Sequence, residues 1–301
     1  MSLNYVVAGG GAYGHHYLRK LDSAVAKKAI NIDGVIVVDK NPECAVAEES
    51  YVALNSRLEV TSWRDFGQSI WEDRDFWVDS IWVPAPIAPH ILAQWVTDRL
   101  LATQNKGAVP KLDPIHLPDI PYAKSLPDGR VLLSHAPGTC PLNCIEPAVC
   151  AITHAERWWE MGETIDSAFT NNPSTLSRDS IAMFFCKHHC DAGENDVGGI
   201  RFRTIYDEYD RIDSQVMSGQ TTVGIATFSS CHGILNVYEM VNSISTKICT
   251  QCSSEFWCNS DAEESACWCM RMAQLKNLDS SRDCFCPDCL QQQLKQQDSA
   301  N

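Results

Sequence analysis

The sequence predicts an α/β protein built on a doubly wound, mostly parallel sheet, with a small cysteine-rich metal-binding module at its C-terminal end. Three observations carry this. A strand-like run, Asn4-Tyr5-Val6-Val7-Ala8, feeds glycines at G-x-G-x-x-G spacing (Gly9, Gly11, Gly14). Strand-length and helix-length apolar segments then alternate, as crossover connections between parallel strands require. Finally, eight cysteines crowd between Cys249 and Cys289.

Taken in order, the glycine turn opens a helix-compatible segment from Tyr13 to Ala29, and Gly34 to Asp39 (G-V-I-V-V-D) reads as a second strand ending in an acid. The first glycine permits the tight turn, the second lets backbone approach a pyrophosphate, and the third lets helix and strand pack closely. The helix N-terminus then faces negative charge. Strand, glycines, helix, strand and acid in this order resemble the dinucleotide-binding fingerprint of Rossmann-fold NAD(P)-binding oxidoreductases. The resemblance implies a Rossmann-like domain that binds NAD or NADP through Gly9, Gly11, Gly14 and Asp39. Asp39 would accept ribose hydroxyls and favour NAD, a preference that Lys40 weakens. Arg57 to Trp63 and Asp79 to Pro84 read as the third and fourth strands, and Pro89 to Ala102 as the following helix. Pro84, at the carboxyl end of the fourth strand, is placed near the nicotinamide ribose. Residues 105–130, with prolines at 110, 114, 118, 121 and 127, read as an extended surface connector.

Three further strands are expected, and each runs into potential ligands. Arg130 to Ser134 leads into a loop from His135 to His154 that carries Cys140, Cys144 and Cys150. Ser180 to Phe185 leads into Cys186, His188, His189 and Cys190, and Thr221 to Phe228 into Cys231 and His232. Helices are expected at His154 to Phe169, about Ile200 to Met217, and Ile234 to Ile244. If the three strands lie parallel in one sheet, their ligand groups meet at its carboxyl edge, where open α/β sheets bind ligands. Thiolates with imidazoles suit zinc, an iron–sulfur cluster or copper(I); the bland alternative is a set of small, inert buried thiols. Cys140, Cys144, Cys150 and Cys231 form a candidate four-thiolate set for zinc or an iron–sulfur cluster, with Cys186 and Cys190 at its rim or in a second site. His188, His189 and His232 are candidate proton-transfer residues or ligands. The pattern C-P-x-x-C-x-E-P-x-x-C resembles that of uncharacterised bacterial Rossmann-like proteins, a likeness spread over the first 245 residues that implies no reaction. Trp158-Trp159 reads as packing, and Asp207 to Arg211 as a solvated acidic face.

In the tail, Cys249/Cys252 and Cys286/Cys289 have the C-x2-C spacing that wraps a tetrahedral ion. They are paired around one zinc, leaving Cys258, Cys267, Cys269 and Cys284 for another. Ala266-Cys267-Trp268-Cys269 and the closing C-x-C-P-x-C resemble the cysteine-rich CWC-type segment. So short a segment has little core, and metal would supply much of its folding energy.

The expected organisation is a Rossmann-like domain over 1–246 (dinucleotide half 1–104, connector 105–130, cysteine- and histidine-bearing half 131–246), a zinc-type module over 247–293 and a flexible tail over 294–301. A formal net charge of −14 over 301 residues argues against nucleic acid as a partner. No apolar run is long enough for a bilayer, so no membrane partner is expected. Fifteen cysteines without a signal-like N-terminus fit a cytoplasmic protein whose thiols bind metal or do redox chemistry. The leading function is an NAD(P)-dependent oxidoreductase with a metal or iron–sulfur site at the sheet edge, acting on a small-molecule substrate or redox protein, with an oligomer possible. The alternative is a redox or metal sensor, or a metal-handling protein.

Overall fold

The computed structural model describes residues 4–85, 90–104, 107–110, 117, 120–126, 129–138, 144, 146–171, 176–188, 197–241, 245–258 and 284–299. Its described elements form two six-stranded sheets and a C-terminal hairpin with a helix. The first sheet begins with β1 (Asn4–Ala8), β2 (Gly34–Asp39), β3 (Ser56–Val60) and β4 (Ile81–Val83). These four are parallel in the order β3-β2-β1-β4. The remaining two are β9 (Lys187–His188) and β10 (Gly198–Arg201); β10 lies antiparallel to β4, and β9 antiparallel to β10.

Side-chain alternation explains why helices cover both faces of this sheet. Tyr5, Val7, Val35, Val37, Ile81 and Val83 face one way, against Leu18 and Leu21 of α1 (Ala12–Ala26). Val6, Ala8, Ile36, Val38 and Trp82 face the other, against α2 (Trp63–Ser69) and α4 (Ile91–Gln104). An aromatic knot fills that side: Phe66 meets the rings of Trp77 on α3 (Arg74–Trp77), Trp82 and Trp95 at 5.3, 6.2 and 6.0 Å. Gly67 is buried in α2 because a β-carbon there would overlap the Trp95 indole.

The second sheet runs β6 (Tyr122–Ser125), β7 (Val131–Ser134), β12 (His232–Val241), β11 (Thr222–Phe228) and β8 (Ile181–Phe185), with β5 (Gly107–Pro110) also paired to β12. One face, with Ala182, Phe184, Val223 and Ile225, shares the core of α4 and α6 (Phe202–Met217) with the first sheet. The other, with Ile181, Ala226, Phe228, Leu235 and Val237, packs on α5 (Met161–Asn171). Helices α2, α4 and α6 are therefore sandwiched between the sheets.

Several expected elements differ. The three ligand-bearing strands belong to this second, mixed sheet rather than continuing the first. Ile234 to Ile244 is not a helix: β12 occupies it, hairpinned to β11 through a tight turn in which Ser229 N–H donates to His232 C=O at 2.8 Å. Its apolar residues suit either period, and pairing on both edges decides for the strand. The proline-rich connector supplies β5 and β6. Residues 154–160 precede α5 because His154 is left-handed (φ 55°). The acidic segment on α6 is not simply solvated: Tyr209 is buried against Trp71 at 4.7 Å, and Asp210 pairs with Arg74 at 2.9 Å. Among the described residues, no helix is long and apolar enough to cross a membrane.

In the tail, β13 (Ser245–Ile248) and β14 (Glu255–Cys258) form a hairpin, and α7 (Pro287–Ser299) packs beside it. Arg64 ties the hairpin to the body: it pairs with Asp98 at 2.8 Å and donates to the Glu255 carbonyl at 2.9 Å.

Candidate functional site

Three groups of residues carry chemistry. The first is the glycine turn between β1 and α1. Gly9 sits at φ +83°, a conformation that disfavours any other residue. A β-carbon on Gly10 would strike the Cys44 thiol, and one on Gly14 the Gly9 carbonyl. Gly11 differs: its backbone is extended (φ −76°), it is exposed, and no described residue lies within 4 Å of where its β-carbon would be. Gly11 is also the N-cap of α1, with no side chain to cap the helix and no acid in its first turn. Asp39 holds the turn from below, its carboxylate accepting the N–H of Gly10 at 2.7 Å and of Asn41 at 2.9 Å. Pro84 stands half-buried just past β4, at the same carboxyl edge.

The second group lies at one edge of the second sheet. β7 and β11 each run antiparallel to β12, and β8 runs parallel to β11, so β7, β8 and β11 all point the same way. Their exits bring together His135, Cys231, His232 and the 146–160 segment. His135 N–H donates to the Cys231 carbonyl at 3.0 Å. Cys150, Cys231, Ala136 and Trp159 form one buried cluster, and the His135 ring stacks on Trp159 at 5.6 Å. The Cys231 sulfur accepts the Trp159 indole N–H at 3.3 Å and an Arg157 N–H at 3.8 Å. Burial pushes its thiol pKa up, and these two donors oppose the shift. The Cys150 pKa is held below its usual value, first by the Thr153 backbone N–H, then by the Thr153 hydroxyl and the Ile152 N–H. Burial, then His232, keeps the His135 pKa low, so its imidazole is readily neutral.

Glu146 organises this edge. Its carboxylate accepts the backbone N–H groups of Ser230 and Cys231, each at 3.2 Å, and lies 3.9 Å from Arg157. Its own N–H donates to the Cys144 sulfur at 3.4 Å. Glu146, Arg157, Trp159 and His135 are absent from the sequence-based candidate set, although His135 and Glu146 sit inside the cysteine loop. Trp158 does not pack as expected: it is 83% exposed beside this cluster.

Cys186 lies between the two groups. It follows β8, and a β-carbon on Gly198 would stand 3.2 Å from its sulfur. Gly198 opens β10, which pairs with β4, so this thiol adjoins the carboxyl edge of the first sheet. Burial, then Glu146, pushes its pKa up to about 12, leaving a neutral thiol. On its other side it lies within electrostatic range of Tyr17 of α1, whose pKa is raised first by burial and then by Cys186. His188 ends β9. Cys140, His189 and Cys190 lie outside the described residues.

The third group is the tail cluster. The sulfurs of Cys249, Cys252, Cys286 and Cys289 lie within 4.8 Å of one another. Cys249 and Cys252 occupy the β13–β14 turn, and Cys286 and Cys289 the N-terminal end of α7. The turn is a knuckle: Cys249 N–H donates to Ser254 C=O and Ser253 N–H to Cys249 C=O, both at 2.9 Å, with Ser253 left-handed at φ 59°. Burial opposes charge on Cys249, but the backbone N–H groups of Cys286, Cys252 and Gln251 outweigh it and bring its pKa to about 6. Cys289 is pushed up, by burial and then by the neighbouring sulfurs of Cys252, Cys286 and Cys249. Four such thiols cannot ionise together without a counter-charge, and a divalent cation supplies one. The cluster can therefore hold a metal. Cys284 is half-buried beside it. The expected second tail site falls largely outside the described residues, which exclude Cys267 and Cys269; Cys258 ends β14.

Residues 92–241 are similar to a family described as "AF_1314_C: Uncharacterized protein, C-terminal domain". No curated protein and no solved structure matches the chain. The similar region runs from α4 to the end of β12, so it includes the strand-edge group and leaves out both the glycine turn and the tail cluster.

Proposed function

We propose that the protein is an NAD(P)-dependent oxidoreductase whose substrate sits at the strand edge formed by His135, Glu146, Cys150, Cys231 and His232, and whose tail is a structural zinc module. The observation that carries the reading is Gly11. Of the glycines in the turn, it is the one whose missing side chain no described residue requires, and it stands at an uncapped helix N-terminus. Both features suit a pyrophosphate, which needs close backbone approach and free N–H donors. Asp39 retains lone pairs for a ribose hydroxyl beyond the two backbone bonds it accepts.

The two halves of such a site adjoin. Tyr17 stands six residues, about 9 Å, along α1 from Gly11. Cys186 bridges the two edges: its N–H donates to Phe228 C=O at the end of β11 at 2.7 Å, and its sulfur adjoins Gly198 of β10, the strand paired with β4. A bound nicotinamide dinucleotide would supply or accept a hydride. Trp159 and Ala136 exclude water around Cys231, and the His232 imidazole at the same edge could hold or move the proton that accompanies hydride transfer. In the tail, four sulfurs in two C-x2-C pairs suit zinc among the available divalent ions.

The test is turnover. Metal-replete protein incubated anaerobically with NADH or NADPH and a panel of carbonyl compounds and disulfides should consume the reduced nucleotide with one class of acceptor. Nucleotide binding without turnover on any acceptor would favour the sensor alternative.

A further inference from the structure

The Cys150 turn repeats the geometry of the tail's metal knuckle. In the tail, Cys249 N–H bonds to the carbonyl five residues on, and the N–H four residues on returns to Cys249 C=O, both at 2.9 Å. At the strand edge, Cys150 N–H bonds to Ala155 C=O and His154 N–H to Cys150 C=O, again at 2.9 Å. The fourth residue after each cysteine is left-handed, Ser253 at φ 59° and His154 at φ 55°. Each turn is closed by the same antiparallel register, Ile248 with Glu255 and Val149 with Glu156. The hydride and proton transfer proposed above do not themselves use this turn.

An independent observation comes from His135, which is 6% exposed and whose Nδ1 is buried with no hydrogen-bond partner. Its Nε2 lies 3.3 Å from the Thr164 hydroxyl, and that hydroxyl donates its single proton to the Glu160 carbonyl at 3.0 Å. With the hydroxyl proton so placed, Nε2–H donates to Thr164 and Nδ1 carries a bare lone pair, the arrangement in which an outer partner orients a ligating histidine. Two more sulfurs adjoin. Cys231 shares the buried cluster with Cys150, and Cys144 accepts the N–H of Glu146, whose carboxylate holds the Cys231 amide.

We infer that Cys144, Cys150, Cys231 and Nδ1 of His135 form a second metal site, holding a divalent ion of the zinc type in a three-sulfur, one-nitrogen set. This deepens the reading of the strand-edge site and rests on it, but does not depend on nucleotide binding. Among the described residues these donors are not gathered within 4.8 Å as the tail sulfurs are. The second ion therefore draws them together and binds more weakly than the tail ion.

The test uses full-length protein stripped with chelator and reloaded with zinc or cobalt(II), without nucleotide, with folding checked by circular dichroism. Cys231→Ser and His135→Gln should each lose one metal equivalent and part of the thiolate–cobalt absorption. Cys252→Ser should lose a different equivalent, so the Cys231→Ser/Cys252→Ser pair loses both. Thr164→Val, which removes only the partner of Nε2, should weaken the second equivalent about 10–100-fold. Wild-type metal content and cobalt spectrum in both Cys231→Ser and His135→Gln overturn the inference, as does wild-type affinity in Thr164→Val. Iron with broad visible absorption in place of zinc, in anaerobically purified protein, overturns the choice of ion.

Discussion

Replacing Glu146 with glutamine should destabilise the protein by about 2–4 kcal/mol. Its two carboxylate oxygens each accept one backbone N–H, from Ser230 and Cys231, at 3.2 Å. Glutamine keeps one acceptor and turns an NH2 toward the other donor. The Cys231 N–H also reaches Ser229 Oγ at 3.4 Å, so losing its carboxylate partner costs about 1 kcal/mol, the low end for a buried donor. The surviving hydrogen bond loses its charge assistance, roughly half its strength. Separation from Arg157, at 3.9 Å, adds about 0–1 kcal/mol. The damage falls on the β11–β12 turn that presents Cys231. Equilibrium urea denaturation of Glu146→Gln beside wild type measures the difference, and Glu146→Asp, too short to bridge both amides, should behave similarly. A shift under about 0.5 kcal/mol in Glu146→Gln would refute the role assigned to this carboxylate.

Other outcomes follow from the same geometry. Gly67→Ala gains about 1 kcal/mol of helix propensity but drives a β-carbon into Trp95; the collision wins, and urea denaturation should show a net loss of about 1–2 kcal/mol. Cys252→Ser should release the tail ion and raise hydrogen exchange across residues 245–258 and 284–299, leaving β1 and β2 protected. His16 has its pKa lowered by burial, then by Lys20 and His15, so the unfolded chain binds its proton more readily. Stability should therefore fall as pH drops below about 6.5 toward the folded pKa, and His16→Gln should flatten that part of the pH–stability curve.

The parallel half of the first sheet was legible because β1, β2 and β4 are near-continuous apolar runs, and Gly34 to Asp39 matches β2 residue for residue; β9 and β10, two and four residues long, carry no such run. The tail grouping was legible because C-x2-C spacing is itself geometric: Cys249, Cys252, Cys286 and Cys289 meet. β12 was not, since I-L-N-V-Y-E-M-V satisfies both periods and the turn before it, Ser229-Ser230-Cys231, lacks the usual glycine or asparagine signal. Prolines in and around them concealed β5, which pairs with β12, and β6, which pairs with β7. The roles of Glu146 and His135 depend on partners far along the chain, Cys231 and Thr164, so no local pattern announces them.

Calorimetric titration of NAD(H) and NADP(H) into wild-type and Gly11→Val protein tests the central claim most directly. A side chain at Gly11 would meet none of the described residues, so the variant should fold like wild type and differ only in what can approach the turn. The account predicts saturable one-site binding of a dinucleotide to wild type and its loss in Gly11→Val. Absence of binding to metal-replete wild type, or equal affinity in the variant, would contradict it.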